Sequence, residues 1–179
     1  MEISNNELKE LRADPLDDLE IKMQDKDIKI IVYNDLEDYK TIDELLKKDI
    51  DACILLYQTE SENSGHWVAL CRNYNDIYYF DSYGKSIDEP QKWNTKNIMI
   101  PNLLTKLLDD DNFNVYENDK AYQKHEYLIN TCGRHCVNFI QFFKNFNYDL
   151  FDYYKVMKEL KVSLKKSYDD IVCALINEL

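Results

Sequence analysis

Apolar residues are distributed along the chain in two kinds of pattern, short continuous runs and helical repeats. Residues 52–57 (ACILLY) are all apolar and are bounded by polar residues, which predicts a strand buried on both faces. Residues 67–72 and 77–80 are also strand-like, and the polar segment 73–76 between them is a turn signal. The latter two strands are therefore predicted to form a hairpin.

The same patterns predict the remaining elements. Two further strands are expected at residues 27–33 and, as an edge-like strand, 113–122. Helices are expected at residues 5–11, 41–48, 101–108, 132–143, 150–160 and 168–179. Thr41 and Glu44 have the spacing of a capping box, and Pro101 is expected in the first turn of its helix.

This mixture of strands and helices predicts an α+β fold, in which helices flank a central mixed sheet. Because no internal repeat or linker is visible, we interpret residues 1–179 as a single domain. Its three parts are N-terminal helices and a strand (1–50), a core that carries the candidate chemistry (52–143) and C-terminal helices (150–179).

The hairpin brings two chemically important side chains together. With a two-residue turn at Asn73-Tyr74, His66 would lie opposite Asp81, and Val68 opposite Tyr79. Directly opposed residues have Cβ atoms about 4.5–5.5 Å apart, within reach of an imidazole–carboxylate hydrogen bond. A different turn shifts this register by one or two residues but keeps both groups at the open end of the hairpin.

The amino-acid composition limits the classes of protein to which this chain can belong. Hydrophobic residues make up 45% of the 179 residues, which argues against disorder. The net charge of −12 disfavours binding to nucleic acid and to anionic membranes. No signal peptide or membrane span is visible. An odd number of cysteines, five, favours reduced thiols, and those in apolar runs (Cys53, Cys71 and Cys173) are expected to be buried.

Cys132 is the candidate nucleophile. It opens a helical pattern and precedes Gly133, and a helix N-terminus favours a thiolate. The three glycines of the chain, Gly65, Gly84 and Gly133, all fall beside the candidate residues, which suggests sharp bends or close approach of another group. We expect Gly133 to let the backbone beside the thiol come close to a substrate carbonyl.

Four residues are predicted to carry the chemistry. Cys132 would be the nucleophile, His66 the base and later the acid, and Asp81 the group that orients the imidazole. The backbone N–H of Cys132 and the side chain of Gln123 are the candidate oxyanion donors. Trp67, Gly65 and Gly133 are the candidate residues of the substrate groove.

Other interpretations of the same residues remain open. Trp67 is as readily a core residue, and Asp81 can be a turn residue. A zinc site is a rival interpretation, with the cysteine and histidine ligands Cys132, Cys136, His125 and His135. The spacing lacks a close C-x-x-C pair, and Cys136 is better explained as a core residue one helical turn after Cys132. No metal or other cofactor is therefore expected.

Taken as a set, these segments resemble the clan of cysteine peptidases that contains adenovirus protease and the ubiquitin-like-protein proteases. The resemblance rests on SGHWVAL (64–70), YYFDSYG (78–84), Gln123 and TCGRHC (131–136), within residues 52–143. It implies a papain-like fold with the catalytic cysteine at the start of a buried helix. Gln123 precedes Cys132 by nine positions, farther than is typical of the clan.

Within the clan, the segments look most like the maturation proteases of adenoviruses, virophages and large DNA viruses. That resemblance implies cleavage of capsid and core precursor proteins at small-residue sites containing glycine, in the virion or the host cytoplasm. The DNA cofactor of adenovirus protease is not expected in this acidic chain, and neither is membrane binding; a monomer is expected. The alternatives are a deconjugase of a ubiquitin-like modifier and an inactive scaffold of the same fold.

Overall fold

The computed structural model describes residues 3–61, 64–96 and 99–176. The strands in this part of the chain are β1 (Lys29–Val32), β2 (Ile50–Ser61), β3 (Ser64–Asn73), β4 (Asp76–Asp81) and β5 (Asn114–Glu117). The α-helices are α1 (Asn5–Ala13), α2 (Asp18–Gln24), α3 (Ile42–Leu45), α4 (Leu103–Leu108), α5 (Cys132–Phe146), α6 (Leu150–Leu164) and α7 (Tyr168–Ile176). Two 3₁₀ helices cover Tyr33–Asp38 and Glu89–Trp93.

The strands form one mixed sheet in the order β1-β2-β3-β4-β5. The β1–β2 and β4–β5 pairs are parallel, whereas β3 is antiparallel to both of its neighbours. Helices cover both faces of the sheet, so the predicted α+β architecture with a mixed sheet is confirmed. Residues 52–57 lie within β2 and are buried, as their apolar run predicts.

The alternation of side chains along the strands divides the core into two halves. Trp67, Ala69 and Cys71 of β3 pack in one half, together with buried residues of α5, α6 and α7. Val68 and Leu70 pack in the other half, together with α3 and α4. Helix α5 lies against β3, and this contact brings the start of the helix to the start of the strand that carries His66.

The register of the β3–β4 hairpin differs from the prediction. The turn lies at Tyr74-Asn75, one position later than expected, and Tyr74 takes the left-handed conformation with φ 55°. Val68 therefore pairs with Asp81, and the predicted direct pairing of His66 with Asp81 is wrong. A shift of two residues keeps every side chain on its predicted face, so His66 and Asp81 are diagonal neighbours.

Several predicted boundaries are also corrected. The capping box at Thr41 is absent, because Glu44 Oε2 instead accepts a hydrogen bond from the backbone N–H of Lys40 (2.7 Å). Pro101 lies outside α4, whose first flanking residue is Asn102. The edge strand within residues 113–122 is confined to β5, and the end of the last predicted helix, 177–179, lies outside the described residues.

Helix α2 was not predicted from the sequence. Asp17 caps it by accepting a hydrogen bond from the backbone N–H of Glu20 (2.8 Å). The Glu20 side chain reciprocally accepts from the backbone N–H of Asp17 (2.9 Å). This is a capping box with aspartate in the first position, and its D-x-x-E spacing is the sequence signal that could have revealed the helix.

Candidate active site

His66 and Asp81 meet at the open end of the hairpin. Nε2 of His66 lies 3.0 Å from Oδ2 of Asp81, and both side chains are buried. The structure thus brings together the imidazole and the carboxylate that the sequence singles out. Their diagonal placement across β3 and β4 suffices for this contact, because an imidazole spans the extra distance.

Asp81 is held in place by two residues that lie outside β4, Tyr83 and Asn118. The backbone N–H of Tyr83 donates to its other oxygen, Oδ1, at 2.7 Å. The Asn118 side chain forms two hydrogen bonds with the backbone of Asp81. It accepts from the N–H group and donates to the carbonyl oxygen, each at 2.7 Å. One carboxylate oxygen of Asp81 therefore accepts from the backbone N–H of Tyr83, and the other contacts the imidazole of His66. Asn118 lies in a polar stretch, and nothing in the sequence marks it for this role.

Cys132 is the first residue of α5, as predicted, and its thiol interacts with His66 closely enough that each group shifts the pKa of the other. Because Nε2 of His66 is engaged with Asp81, Nδ1 is the ring nitrogen that remains for Cys132. The thiol is thus placed at a helix N-terminus, where unpaired N–H groups and the helix dipole favour an anion. The three groups follow one another in the order Cys132, His66, Asp81, with a hydrogen bond between the imidazole and the carboxylate.

The electrostatics of these three groups favour an ion pair. Burial raises the pKa of Cys132, but the hydrogen bond and charge of His66, with hydrogen bonds to the backbone of Trp67 and Gly133, lower it below its ordinary value. Burial lowers the pKa of His66, but hydrogen bonds with Asp81 and Cys132 raise it to about 9. Between these two pKa values the favoured state is a thiolate beside an imidazolium.

The five cysteines are therefore expected to differ sharply in reactivity. Iodoacetamide at pH 7 should alkylate Cys132 selectively, because the thiolate is the nucleophile. Burial raises the pKa of Cys53 and Cys173 to about 12 and that of Cys71 and Cys136 well above the ordinary value. Peptide mass spectrometry after a short exposure should find the label at Cys132.

The pH dependence provides the control. The midpoint of Cys132 alkylation should lie below the ordinary thiol value, and His66→Ala should move it upward by removing the cation that lowers the thiol pKa. In guanidinium chloride all five thiols should react alike, which shows that the fold creates the difference. Equal labelling of all five thiols in the folded protein would contradict the ion pair.

Aromatic rings surround the imidazole. The Tyr83 ring stacks on His66 with 5.1 Å between ring centroids, and the Trp93 ring meets it edge-on at 5.1 Å. His125 packs in turn against Tyr83, with ring centroids 4.7 Å apart. These rings restrict the access of water to His66, and the π face of Tyr83 favours the protonated imidazole. The sequence analysis missed Trp93, because it lies outside the segments that carry the candidate residues.

Gln123 is buried next to the site and fully engaged. Its Oε1 accepts from Ser82 Oγ (2.8 Å), and its Nε2 donates to the carbonyl of Ile129 (3.0 Å) and the hydroxyl of Tyr83 (2.9 Å). The network links it to the Asp81-Ser82 segment and to the loop before Cys132. Its action as an oxyanion donor stays a prediction, and in this structure the amide nitrogen donates to Tyr83 and to Ile129.

A cleft of about 650 Å³ opens beside the thiol. The residues lining it are Pro15, Leu16, Asp17, Asp18, Leu19, Gly65, Trp67, Asn130 and Cys132. Two predicted groove residues, Gly65 and Trp67, thus line the cleft, although Trp67 is largely buried and also belongs to the core. The wall formed by residues 15–19 was missed, because it depends on a contact between distant parts of the chain.

The glycines beside the site are explained by close packing. A Cβ atom at Gly65 would lie 2.2 Å from the carbonyl oxygen of Tyr57 on the neighbouring strand. A Cβ atom at Gly133 would lie 3.2 Å from Cβ of Leu16. In the described residues, Gly133 is covered by Leu16 and does not line the cleft. Packing against the N-terminal segment therefore accounts for this glycine directly.

The residues of the rival zinc site make other contacts. His135 pairs with Asp169 (Nε2 to Oδ1 3.2 Å), and Cys136 is buried with its thiol donating to the carbonyl of Trp67 (3.3 Å). The burial expected for Cys136, and for Cys53, Cys71 and Cys173, is confirmed. Among the described residues, no three His, Cys, Asp or Glu side chains are grouped as metal ligands.

Fold and site together define an α+β protein with a buried Cys–His–Asp chain at the edge of a cleft. Over 158 residues, the sequence is 33% identical to a protein of Sputnik virophage named uncharacterized protein V9. The match covers 80% of this chain and 89% of the virophage protein, and the chain belongs to the same protein family. No protein-family model matches the sequence. In the part of the chain that the structure describes, no helix has both the length and the apolar character of a membrane span.

Proposed function

We propose that the chain is a cysteine endopeptidase with a papain-like fold, in which Cys132 is the nucleophile. The observation that carries the proposal is the placement of Cys132, at the edge of the cleft, beside a His66 imidazole that is hydrogen-bonded to Asp81. A structural cysteine needs neither a thiolate nor an imidazolium. Here the pKa of the thiol is lowered while that of the imidazole is raised to about 9, as a nucleophilic ion pair requires.

The geometry suits hydrolysis of an acyl bond in two stages. The Cys132 thiolate attacks the substrate carbonyl carbon, and the carbonyl π electrons move to oxygen and form an oxyanion. The His66 imidazolium then donates its proton to the leaving amine as the C–N bond breaks, which leaves a thioester. Water attacks the thioester with neutral His66 as base, which releases the acid and restores the thiolate–imidazolium pair. Asp81 keeps the imidazole oriented throughout through its hydrogen bond with Nε2.

The proposed substrates are capsid and core precursor proteins of a virus, cut at small-residue sites containing glycine. Support comes from the clan resemblance and from the family shared with a virophage protein. Cleavage would take place in the virion or the host cytoplasm, by a monomer without a metal or nucleic-acid cofactor. The net charge of −12 also favours basic or neutral partners over nucleic acid.

The proposal is tested by mapping the cuts that the protein makes. A proteome-derived peptide library, and separately the structural proteins of a virophage particle, are incubated with the protein, and new N-termini are identified by mass spectrometry. We expect a recurrent small-residue motif around the cut and cleavage within capsid or core proteins. Protein alkylated beforehand at Cys132 is the matched control, and it should produce none of these cuts.

Three results would redirect the assignment. Identical cuts from the alkylated protein would remove Cys132 from the chemistry and overturn the proposal. Rapid labelling of Cys132 by a ubiquitin-like probe with a reactive C-terminal glycine, without cleavage of the library, would favour the deconjugase alternative. A Cys132 thiol that is inert toward iodoacetamide at neutral pH would favour the inactive scaffold.

A further inference from the structure

A second buried carboxylate, Asp169 on α7, lies outside the Cys132–His66–Asp81 chain. Its side chain is fully buried, yet its pKa is held below the ordinary value. Burial alone raises that pKa, but the hydrogen bonds and charge supplied by its neighbours, first of all His135, outweigh it. A buried anion is costly unless it is paired, so its retention beside a candidate active site calls for an explanation.

Asp169 joins two separate segments of the site. Its Oδ1 accepts a hydrogen bond from the Thr131 hydroxyl (2.6 Å) and lies 3.2 Å from Nε2 of His135. Its Oδ2 accepts from the backbone N–H of Lys124 (3.2 Å). Thr131 directly precedes Cys132, and Lys124 directly follows Gln123. One carboxylate therefore holds both chain segments that supply the candidate oxyanion donors.

The Thr131 hydroxyl binds Asp169 instead of capping helix α5. Thr131 is the residue before the first turn of α5, where a threonine side chain commonly accepts a backbone N–H of that turn. Here it makes no such capping bond and donates to Asp169 instead. The N–H groups at the start of α5 are thus not satisfied by the Thr131 side chain, and such groups stabilise an anion at a helix N-terminus.

The segment that contains Gln123 is held by two backbone hydrogen bonds. The backbone N–H of Gln123 donates to the carbonyl of Ser82 (2.9 Å), and Ser82 adjoins Asp81. The next peptide N–H, that of Lys124, donates to Asp169. Gln123 is therefore fixed between the end of β4, which carries Asp81, and Asp169 on α7.

We propose that Asp169 is a positioning residue that aligns the backbone N–H of Cys132 with the side-chain amide of Gln123, so that both can face one oxyanion. The inference rests on the proposed nucleophilic function of Cys132. It assigns Asp169 no direct contact with substrate. Loss of this alignment should impair steps that develop an oxyanion and spare reactions of the thiolate that develop none.

The test compares two reactions of the same thiol. Iodoacetamide alkylates the thiolate by displacing iodide, and no oxyanion forms. A peptide aldehyde such as acetyl-glycyl-glycinal forms a reversible hemithioacetal, in which the new S–C bond turns the carbonyl oxygen into an oxyanion that is then protonated or hydrogen-bonded. Protection of Cys132 from alkylation by the aldehyde therefore reports on the oxyanion site without any need for turnover.

Asp169→Asn is the main variant. An asparagine can accept from Thr131 or from the Lys124 N–H through its single oxygen, but its NH₂ group then faces the other donor. We expect aldehyde protection to weaken about 10-fold or more, and kcat on a cleaved peptide to fall about 10- to 100-fold with KM nearly unchanged. The rate and pH profile of iodoacetamide alkylation should match those of the wild type.

Two further variants separate positioning from folding. Thr131→Val removes only the 2.6 Å bond to Asp169 and keeps the side-chain shape, so it should show the same pattern in a milder form. Asp170→Asn is the matched control, because Asp170 adjoins Asp169 on α7 but pairs with Arg12 and Ser167. It should leave both reactions unchanged. Thermal unfolding monitors the fold of each variant.

The outcomes separate this inference from the proposed peptidase function. If both Asp169→Asn and Thr131→Val retain wild-type aldehyde protection, the positioning role of Asp169 is overturned, whatever the protein cleaves. The same holds if the aldehyde fails to protect Cys132 of the wild type. If aldehyde protection weakens selectively in the variants but the wild type cuts no peptide, the positioning role stands and the endopeptidase proposal fails.

Discussion

Replacement of Cys132 by alanine is expected to lower kcat/KM for peptide cleavage by about 10⁴-fold or more, because Cys132 supplies the sulfur atom of the thioester. The binding groups and the oxyanion donors remain, so residual substrate binding should persist. The measurement is the hydrolysis rate of the best peptide from the cleavage map, together with the affinity of the variant for that peptide. The variant should fold normally, since the change removes a sulfur atom and leaves a methyl group.

Cys53 provides the matched control for this replacement. It is also a buried free thiol, but it lies on β2 in the half of the core that contains α3 and α4. Cys53→Ala should lose some stability from the smaller side chain and keep its cleavage rate per folded molecule. Cleavage of the same bonds by Cys132→Ala at the wild-type rate would rule out the assigned nucleophile.

The sequence predicts the main parts of the site because they depend on local patterns. Strand alternation and one turn suffice to place His66 and Asp81 on the same face of the hairpin. The turn lies one residue later than the pattern predicts, because Tyr74 adopts the left-handed conformation, which a bulky residue seldom does. The observed register differs from the predicted one by two residues. Because side chains alternate with a period of two, His66 and Asp81 still lie on the same face of the hairpin.

The parts that could not be predicted depend on contacts between distant segments. Leu16 packs against Gly133, and Asn118 hydrogen-bonds to the backbone of Asp81. Asp169 accepts a hydrogen bond from Thr131, which lies 38 positions earlier in the chain. None of these pairs has a periodic or motif-like signature in the sequence. The role of Gln123 falls between the two cases, because its identity fits the clan pattern while its present hydrogen bonds occupy the amide.

The hydrogen bonds of Asp81 make Asp81→Asn the second severe substitution, with an expected loss in kcat/KM of about 10³- to 10⁴-fold. The Tyr83 N–H donates to Oδ1, so the oxygen of an asparagine is favoured there and its NH₂ group is placed toward His66. His66 Nε2 must then accept, which moves the imidazole proton to Nδ1, the nitrogen that faces Cys132. In that tautomer His66 cannot act as the base. Steady-state cleavage of the mapped peptide measures the effect.

The same substitution should change the titration of Cys132 in a defined direction. The hydrogen bond to Asp81 is the first of the interactions that raise the pKa of His66 to about 9 against burial, so its loss lowers that pKa. The imidazolium then persists over a narrower range of pH, the thiolate loses its partner, and the alkylation midpoint of Cys132 moves upward. Asp76→Asn at the partly buried start of β4, where Asp76 accepts a hydrogen bond from the Asn114 side chain, is the control and should alter neither quantity. Wild-type cleavage and an unmoved alkylation profile in Asp81→Asn would show that this carboxylate does not orient His66.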